Sequence, residues 1–320
     1  MDKCKCGKKA VICKSYEGRC YCRDHFLRYV ERKVKKTVGK NNLVEYGDKI
    51  AVGVSGGKDS MLMLYLIHKI FKNVKKVEYF AVTIDEGIGG HREKWNKKID
   101  EFIRKLGVEY HKISYKEFFG FTLDELDEKL REMKSSEKVC TWCGILKRYV
   151  LNKFSRELGA TKVAIGHTLD DEAESIMMNF VRGDFNRFIK LGVFPVLKMN
   201  KKFVPRIKPL REVMTEDVIL YDKIRKIPYI PGRCPHAKDN IRLSVQNILN
   251  ELEEKYPGTK YQIVRFYDTI QPLIVKNIKI EKEFKYCKIC GEPSSTEICR
   301  VCQLLKKIER YDSKSHSSAE

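Results

Sequence analysis

The segment 49–60 constrains the fold of this chain more than any other. It reads K-I-A-V-G-V-S-G-G-K-D-S, an apolar and β-branched run that ends in glycines, and apolar residues at helical spacing follow as far as residue 71. This pattern predicts a strand, a tight loop and a helix. The same alternation continues, with strands predicted at 77–84, 108–113 and 162–165 and helices at 94–106, 145–158 and 171–181. Strands that alternate with helices indicate a mostly parallel sheet, which binds ligands beyond the carboxyl ends of its strands.

The composition is that of a folded, basic protein. Apolar residues make up 42% of the 320 residues and charged residues 33%, which excludes collagen-like, low-complexity and wholly disordered chains. The 64 Lys and Arg residues exceed the 43 Asp and Glu residues by 21, and an excess of this size favours a polyanionic partner, nucleic acid above all. The sequence contains no apolar run of membrane-spanning length and no signal peptide, so we expect a cytoplasmic protein with no membrane contact.

Twelve cysteines fall into three groups along the chain. Because we expect reduced thiols in the cytoplasm, their spacing is interpreted for metal or redox chemistry before disulfides. Two groups are terminal and one is central, which predicts two small ends around a large middle. The predicted domains are an N-terminal zinc module and basic helix at 1–38, a catalytic domain with a helical extension at 39–280, a C-terminal zinc ribbon at 281–312 and a disordered tail at 313–320.

The predicted loop after the first strand suits an anion. Its two glycines let backbone N–H groups approach the anion, and the N-terminus of the following helix adds partial positive charge. The spacing of a Walker A loop is absent. S-G-G-K-D-S resembles instead the loop of the ATP pyrophosphatases, which binds the pyrophosphate released when ATP adenylates a substrate. This resemblance implies Mg²⁺ at Asp59 or Asp171 and ATP binding by Ser55, Gly56, Gly57, Lys58, Asp59 and Ser60. A capped glycine turn is the alternative.

A second segment, A-I-G-H-T-L-D-D-E-A, again ends a predicted strand and opens a helix. In the same family G-H-x-x-D-D lies across the nucleotide site, which extends the implied ATP site to Gly166, His167 and Asp170. Asp85 follows the second strand, where the family places residues near the adenosine. Carboxylates at a helix start also interact favourably with the helix dipole. Capping roles for Asp170 and Asp171, and a turn role for Asp85, are therefore the alternatives.

The central cysteines suit a cluster better than a zinc ion. Cys140 and Cys143 form C-T-W-C before a predicted helix, and Cys234 lies far along the chain in P-G-R-C-P-H. Three thiols do not complete a four-cysteine zinc site, although His236 can in principle supply a fourth ligand. Three thiolates on a [4Fe-4S] cluster would leave one iron open, which suits the binding of a small sulfur species. Buried structural cysteines, or a persulfide carrier at Cys140 or Cys234, are the alternatives.

The terminal cysteines have the spacing of zinc sites. Four thiolates complete the tetrahedral coordination of a zinc ion. The C-terminal set has two C-x₂-C pairs separated by eight residues: Cys287, Cys290, Cys299 and Cys302. The N-terminal set combines a C-x₂-H pair with a C-x-C pair: Cys4, Cys6, Cys22 and His25. Cys13 and Cys20 are the possible substitutes for Cys4. Basic residues around both modules predict contact with an RNA backbone, with a solvated helix face as the alternative: Arg28, Arg32, Lys33, Lys35, Lys36, Lys306 and Lys307.

As a set, these motifs resemble the tRNA 2-thiouridine synthetases of the TtuA type and the related cytosolic wobble-uridine thiolases, over nearly the whole chain. The family's first N-terminal pair has two residues between its thiols, whereas this chain has one. The resemblance implies an α/β fold, with a Rossmann-like parallel sheet of the ATP-pyrophosphatase (PP-loop) type flanked by zinc modules at both ends. It places the [4Fe-4S] cluster on the three central cysteines and catalytic roles on Lys147, Asp171 and Asp59. Lys147 is four residues past Cys143 and so lies on the same helical face.

The resemblance implies tRNA 2-thiolation. The 2-oxygen of a uridine would be adenylated by ATP with release of pyrophosphate, and sulfur transfer would then release AMP and leave 2-thiouridine. The implied cofactors are ATP, Mg²⁺, the cluster and two Zn²⁺. The implied partners are tRNA, a sulfur donor that is either sulfide or a thiocarboxylated ubiquitin-like protein, and a second copy of the chain. The alternatives are a tRNA cytidine thiolase, a persulfide-based thiolase, a lysidine-type ligase, an amidotransferase-linked synthetase, and a non-catalytic zinc protein that binds RNA.

Overall fold

The computed structural model describes residues 3–90, 93–192, 202–232, 234–237, 241–277 and 285–317. Five strands build the central sheet: β3 Lys49–Gly53, β4 Glu78–Asp85, β5 Tyr110–Ser114, β6 Lys162–Ala164 and β7 Arg206–Ile207. All are parallel, in the order β5-β4-β3-β6-β7. Two antiparallel ribbons lie at the ends of the chain: β1 Ile12–Lys14 with β2 Arg19–Tyr21, and β8 Lys285–Tyr286 with β9 Pro293–Ser294.

The helices in the described residues include the predicted crossovers and several that the sequence analysis did not predict. In chain order they are α1 Arg23–Lys40, α2 Lys58–Phe71, α3 Glu93–Leu106, α4 Tyr115–Phe119, α5 Leu123–Glu132, α6 Val139–Glu157, α7 Leu169–Val181, α8 Phe185–Phe188, α9 Thr215–Arg225, α10 Ile241–Lys255, α11 Thr259–Asn277 and α12 Arg300–Ser317.

The middle strand of the sheet is covered on both faces. Ile50, Ala51 and Val52 of β3 are completely buried, as expected for a parallel strand with helices on each side. From β3 the chain passes to β4 on one side and later to β6 on the other. The carboxyl ends of β3 and β6 therefore border the crevice where the strand order reverses, which is where open α/β sheets bind ligands.

The small terminal modules pack onto the catalytic core. Helix α1 buries Phe26, Val30 and Val34 in the same cluster as the central strands and α2. At the other end, α12 and the cysteines around it share a second buried cluster with α5 and α6, which includes Trp142. The predicted fold, a Rossmann-like parallel sheet with cysteine-rich modules at both ends, is confirmed.

Two predicted boundaries are wrong. Helix α6 begins at Val139, so the C-x-x-C pair lies inside its first turns and not before it. Helix α12 continues to Ser317, so most of the segment predicted as a disordered tail is helical. The predicted boundary at 280/281 lies outside the described residues. Among the helices that are described, none has the length and apolar character needed to span a lipid bilayer.

Candidate active site

A cavity of about 340 Å³ opens at the crevice between β3 and β6. Its wall brings together two predicted loops and the predicted catalytic lysine, which are far apart in sequence. The predicted site residues that line it are Ser55, Gly57, Asp59, Ser60, Lys147, Gly166, His167 and Asp171. The cavity therefore collects most of the implied ATP site in one place.

The phosphate loop is held in shape by its own hydrogen bonds. The hydroxyl of Ser60 accepts from the N–H of Ser55 at 3.1 Å and donates to the carbonyl of Gly57 at 2.8 Å. Gly56 has φ +82°, and a Cβ there would lie 2.6 Å from Ile230, so only glycine fits. The loop ends at the N-terminus of α2, whose partial positive charge favours a phosphate.

Asp59 has one carboxylate oxygen free for a cation. Its Oδ2 accepts from Lys58 Nζ at 2.9 Å, whereas Oδ1 is buried and has no hydrogen-bond partner among the described residues. Burial raises the pKa of Asp59, the charge of Lys58 opposes that rise, and the charge of Asp171 adds to it. A buried carboxylate oxygen beside a phosphate loop fits Mg²⁺, which takes oxygen ligands from one or two carboxylates together with substrate phosphates.

Lys147 of α6 forms an ion pair with Glu86, which follows β4. Glu86 is buried and lines the cavity, and it was not predicted from the sequence. Glu86 directly follows Asp85, the residue at the end of β4 that was predicted to lie near the adenosine. Asp85 does not line the cavity, and its Oδ1 accepts from the N–H of Gly87 at 3.0 Å, as a turn aspartate does.

Asp171 is held by groups from two helices. The N–H and the hydroxyl of Thr168 each donate to its Oδ2 at 3.0 Å, which caps α7. Arg242 of α10 donates to its Oδ1 at 2.8 Å and to Glu174 at 2.8 Å. Arg242 was not predicted from the sequence, because no local motif marks it as a partner of Asp171.

His167 lies at the edge of a buried charge network. Its Nδ1 is 3.5 Å from Glu172, which also accepts from Lys208 at 2.7 Å. Burial acts to raise the pKa of Glu172, but His167 and Lys208 outweigh it and lower the pKa to about 2. Glu172 is therefore ionised across the physiological range and places a negative charge beside the His167 ring.

Asp170 points away from this cavity. Its Oδ2 accepts from the N–H of Thr215 at 2.7 Å, and its Oδ1 pairs with Lys260 at 2.6 Å. It lines a second, larger cavity of about 530 Å³ between the N-terminal ribbon and α9, α10 and α11, which contains no phosphate-loop residue. Two other predicted ATP ligands, Gly56 and Lys58, belong to the phosphate loop without lining the cavity.

The three central cysteines come together on two neighbouring elements. Cys140 and Cys143 lie in the first turns of α6, and the thiol of Cys140 donates to the backbone carbonyl of His236 at 2.9 Å, two residues beyond Cys234. Burial raises the pKa of Cys143, the charge of Lys147 opposes the rise, and Glu86 and Cys234 add to it. Cys143 also lies one helical turn before Lys147, so the thiols adjoin the nucleotide cavity.

The donor set at these cysteines fits a cluster and does not fit a single ion. Two other groups of four cysteine or histidine ligand atoms converge within 4.8 Å in the described residues, but the central thiols are not such a group. His236 is engaged elsewhere, with Nε2 at 2.6 Å from Asp124. A cluster binds each thiolate through a different iron, so its ligands need not converge on one point.

A family model described as a PP-loop domain matches residues 27–249. The chain belongs to the PP-loop family. It is 37% identical to the tRNA-5-methyluridine(54) 2-sulfurtransferase of Pyrococcus horikoshii, over 95% of this chain and 94% of that protein. It is 33% identical to the tRNA 2-thiolation protein NcsA of Haloferax volcanii, over 97% and 99%.

A solved structure extends the likeness to three dimensions. The U34-tRNA thiolase NcsA from Methanococcus maripaludis, solved with its [4Fe-4S] cluster, superimposes with a TM-score of 0.81 at 36% identity, over 95% of this chain and 96% of that one. The resemblance to tRNA 2-thiouridine synthetases is thereby confirmed. Both terminal metal groups of this PP-loop protein lie wholly outside the range that the family model matches.

The N-terminal group consists of Cys4, Cys6, Cys22 and His25. Cys4 Sγ lies 3.0 Å from His25 Nδ1, and Cys6 Sγ lies 3.7 Å from Cys22 Sγ. Backbone N–H groups of Cys6 and Cys22 lower the pKa of Cys4 to about 6, which favours the thiolate that zinc binds. Cys4 thus completes the set.

Cys13 and Cys20 are not spare ligands of this group. They face each other across the β1–β2 ribbon and form a disulfide. The expectation that all twelve thiols are reduced is wrong for this pair.

The C-terminal group consists of Cys287, Cys290, Cys299 and Cys302, as predicted from their spacing. Burial acts to raise the pKa of Cys287, but the N–H groups of Cys290 and Cys299 outweigh it and lower the pKa to about 6. Three of the four cysteines are buried against α6, and Arg300 lies over the ring of Trp142 at 5.1 Å. This module therefore supports the helix that carries the central cysteines.

One of the basic residues predicted to contact RNA is half-buried among tyrosine rings. Lys33 lies under three tyrosine rings, from Tyr16, Tyr29 and Tyr261, and hydrogen-bonds to their hydroxyls. Burial lowers its pKa to about 8. The six other residues of that set are exposed and remain candidates for RNA contact.

Proposed function

We propose that this protein is a tRNA 2-thiouridine synthetase. One observation carries the proposal: a single helix, α6, brings Cys140 and Cys143 to one side of Lys147 while Lys147 lines the cavity of the phosphate loop. A nucleotide-activated base and a sulfur-bearing site can therefore meet at one lysine. The named activities of the relatives, which act on tRNA, support the same conclusion.

In this proposal the cavity residues perform the adenylation. The loop from Ser55 to Ser60 and the N-terminus of α2 bind the phosphates of ATP. The Oδ1 oxygen of Asp59 would hold Mg²⁺, which would supply positive charge against the phosphates. The 2-oxygen of uridine attacks the α-phosphorus, and the bond to the pyrophosphate oxygen breaks. Lys147 offsets the negative charge that develops there. Asp171, fixed by Arg242, orients the Mg²⁺ shell or accepts a proton.

Sulfur transfer then takes place at C2 of the activated base. A sulfur nucleophile adds at C2, and AMP departs with the former 2-oxygen. Without adenylation this oxygen would be a poor leaving group. Cys140, Cys143 and Cys234 would hold a [4Fe-4S] cluster, which supplies one iron without a protein ligand for a sulfur species. The target base must leave its stack to enter the cavity, and exposed Arg28, Arg32, Lys35, Lys36, Lys306 and Lys307 would bind the surrounding phosphates.

The finer assignments are also proposals. The sulfur donor is sulfide or a thiocarboxylated ubiquitin-like protein, and the two terminal groups each hold Zn²⁺. A homodimer is supported by large apolar side chains that are exposed on α7 and α11, such as Phe180 and Phe266. A cytoplasmic location is supported by relatives named cytoplasmic tRNA 2-thiolation proteins.

The decisive experiment is an anaerobic assay of the iron-reconstituted protein with tRNA, ATP and sulfide. We expect 2-thiouridine by nucleoside mass spectrometry and one AMP per thiolated base, and Asp59→Ala should abolish both. Nuclease mapping of the product locates the modified uridine. Formation of 2-thiocytidine would instead indicate a cytidine thiolase. Full activity of iron-free protein that holds two zinc ions per chain, with a persulfide supplied in place of sulfide, would indicate the persulfide route. No ATP consumption would indicate a non-catalytic RNA-binding protein.

A further inference from the structure

The loop that carries Cys234 is attached to helix α5 through His236. Nε2 of His236 lies 2.6 Å from Oδ1 of Asp124, and Nδ1 lies 3.5 Å from Oδ2 of Asp127. The backbone carbonyl of His236 also accepts the hydrogen bond from Cys140. One residue of the loop is therefore joined both to α5 and to the helix that carries the other two cysteines.

The second oxygen of the Asp124 carboxylate binds a different loop. Oδ2 accepts from the N–H of Gly89 at 2.8 Å, in the segment that follows β4. The same segment is held at its start, where the carbonyl of Glu86 accepts from the N–H of Leu123 at 2.7 Å. The start of α5 thus bridges the cysteine loop and the loop that follows β4.

The loop that follows β4, called the β4 loop below, leads directly into the nucleotide cavity. Glu86 is buried, pairs with Lys147 and lines the cavity. Gly87 has φ +68°, and a Cβ there would lie 2.6 Å from Thr122, so this loop lies directly against the N-terminus of α5. A displacement of α5 would therefore move Glu86 as well as His236.

We propose that Asp124 is a positioning residue that fixes the third cysteine and couples its loop to the nucleotide cavity. One carboxylate oxygen of Asp124 binds the Cys234 loop, and the other binds the loop that follows β4. The residue therefore acts by holding the two loops in position and not through a change of its own charge. The inference rests on the proposed function where it treats the central cysteines as cluster ligands. The position of the Cys234 loop, however, can be measured without any cluster.

The first test measures alkylation of Cys234 by iodoacetamide in the protein before iron reconstitution, with peptide mass spectrometry as the readout. Asp124→Ala removes both contacts and should speed alkylation by about fivefold or more, because the loop opens more often. Asp124→Asn retains one acceptor oxygen for two partners and should give an intermediate rate. Glu128→Ala is the matched control, since Glu128 is an exposed acid one turn further along α5.

The second test uses the iron-reconstituted protein. We expect Asp124→Ala to lose iron to a chelator about tenfold faster than the wild type, the usual effect of removing a residue that orients a metal ligand. Its ATP dissociation constant should also rise, by about threefold, because the loop that follows β4 shifts with α5; an unchanged dissociation constant overturns the coupling to the nucleotide cavity. Zinc per chain and the thermal midpoint should remain close to those of Glu128→Ala, which separates loss of positioning from misfolding.

The outcomes distinguish this inference from the proposed function. Equal alkylation of Cys234 in the wild type and Asp124→Ala overturns the positioning role, whether or not iron binds. Where the wild type does take up iron, equal iron retention in the two proteins also overturns it. If the wild type takes up no iron while the alkylation rates still differ, the cluster in the proposed function fails and the positioning of Cys234 by Asp124 is supported.

Discussion

Arg242 at the start of α10 donates a hydrogen bond to Asp171 at the start of α7, at 2.8 Å. Because Thr168 binds the other oxygen, both oxygens of this carboxylate are oriented before any substrate arrives. Helix α10 is the first element after the Cys234 loop. The helix that follows the third cysteine therefore also fixes the carboxylate that faces the nucleotide cavity.

We expect Arg242→Gln to slow tRNA-dependent AMP formation by roughly 10- to 100-fold. The reason is that a misplaced Asp171 lowers the rate of the chemical step even when ATP still binds. The KM for ATP should change by less than about threefold, since Arg242 is not among the residues that line the nucleotide cavity. Steady-state kinetics with Arg265→Gln, an exposed arginine of α11, as the control checks this. An unchanged kcat would show that Asp171 does not depend on Arg242.

Lys147→Gln should reduce AMP formation by about 10²- to 10³-fold, because it removes the positive charge placed at the reacting phosphate. It also removes the ion pair between Lys147 and the buried carboxylate of Glu86, which should lower the thermal midpoint by several degrees. The double variant Glu86→Gln/Lys147→Gln should recover the thermal midpoint and not the activity. Lys153→Gln, further along α6, is the control. Recovery of both properties would assign Lys147 a structural role only.

Cys299→Ser should reduce the zinc content from two ions to one per chain, measured by elemental analysis. Because its module packs against Trp142 and α6, the same change should lower the thermal midpoint and alter tryptophan fluorescence. The double variant Cys13→Ser/Cys20→Ser should keep two zinc ions, since these residues pair with each other and not with the N-terminal group. A loss of zinc in the double variant would contradict the ligand set found here.

Asp222 should make the protein less stable as pH rises. Asp222 is 1% exposed, and its carboxyl group has no hydrogen-bond partner among the described residues. Burial raises the pKa of this carboxyl group from 3.8 to about 8. The charge of Asp59 adds to the rise, and the charge of Lys58 opposes it. Between these values the folded state retains a proton that the unfolded state has lost. Stability therefore falls with rising pH, by at most about 1.4 kcal/mol per unit, and levels off above pH 8.

Asp222→Asn removes this titration. The thermal midpoint of the variant relative to the wild type should increase from pH 5 to pH 8, measured by scanning calorimetry at each pH. Glu117→Gln in α4 is the control and should show no such trend, because hydrogen bonds from Ser114 hold the pKa of Glu117 below its usual range. A constant difference between Asp222→Asn and the wild type would mean that Asp222 is ionised in the folded protein at pH 5.

The features that could be predicted from the sequence are those whose physics is local. Two adjacent glycines between an apolar strand and a helix make an anion-binding turn in almost any tertiary context, so the loop from Ser55 to Ser60 was found directly. The C-x₂-C pairs at 287 and 299 are similar, because short spacing lets one ion bind both thiols. Local patterns did not predict which residue at the end of β4 lines the cavity, because neighbouring side chains at a strand end point to opposite sides of the sheet. Glu86 lines the cavity, and Asp85 does not.

The sequence by itself determined the class of fold, the phosphate loop and the sets of thiols, because strand and helix periodicity, glycine geometry and ligand spacing act over a few residues. Only the tertiary structure decided which distant groups meet: Glu86 with Lys147, Arg242 with Asp171, Asp124 with His236 and Cys13 with Cys20. These pairs join separate elements, and no local pattern marks their partners. Their contacts depend on how the helices pack around one sheet, which the whole chain determines together.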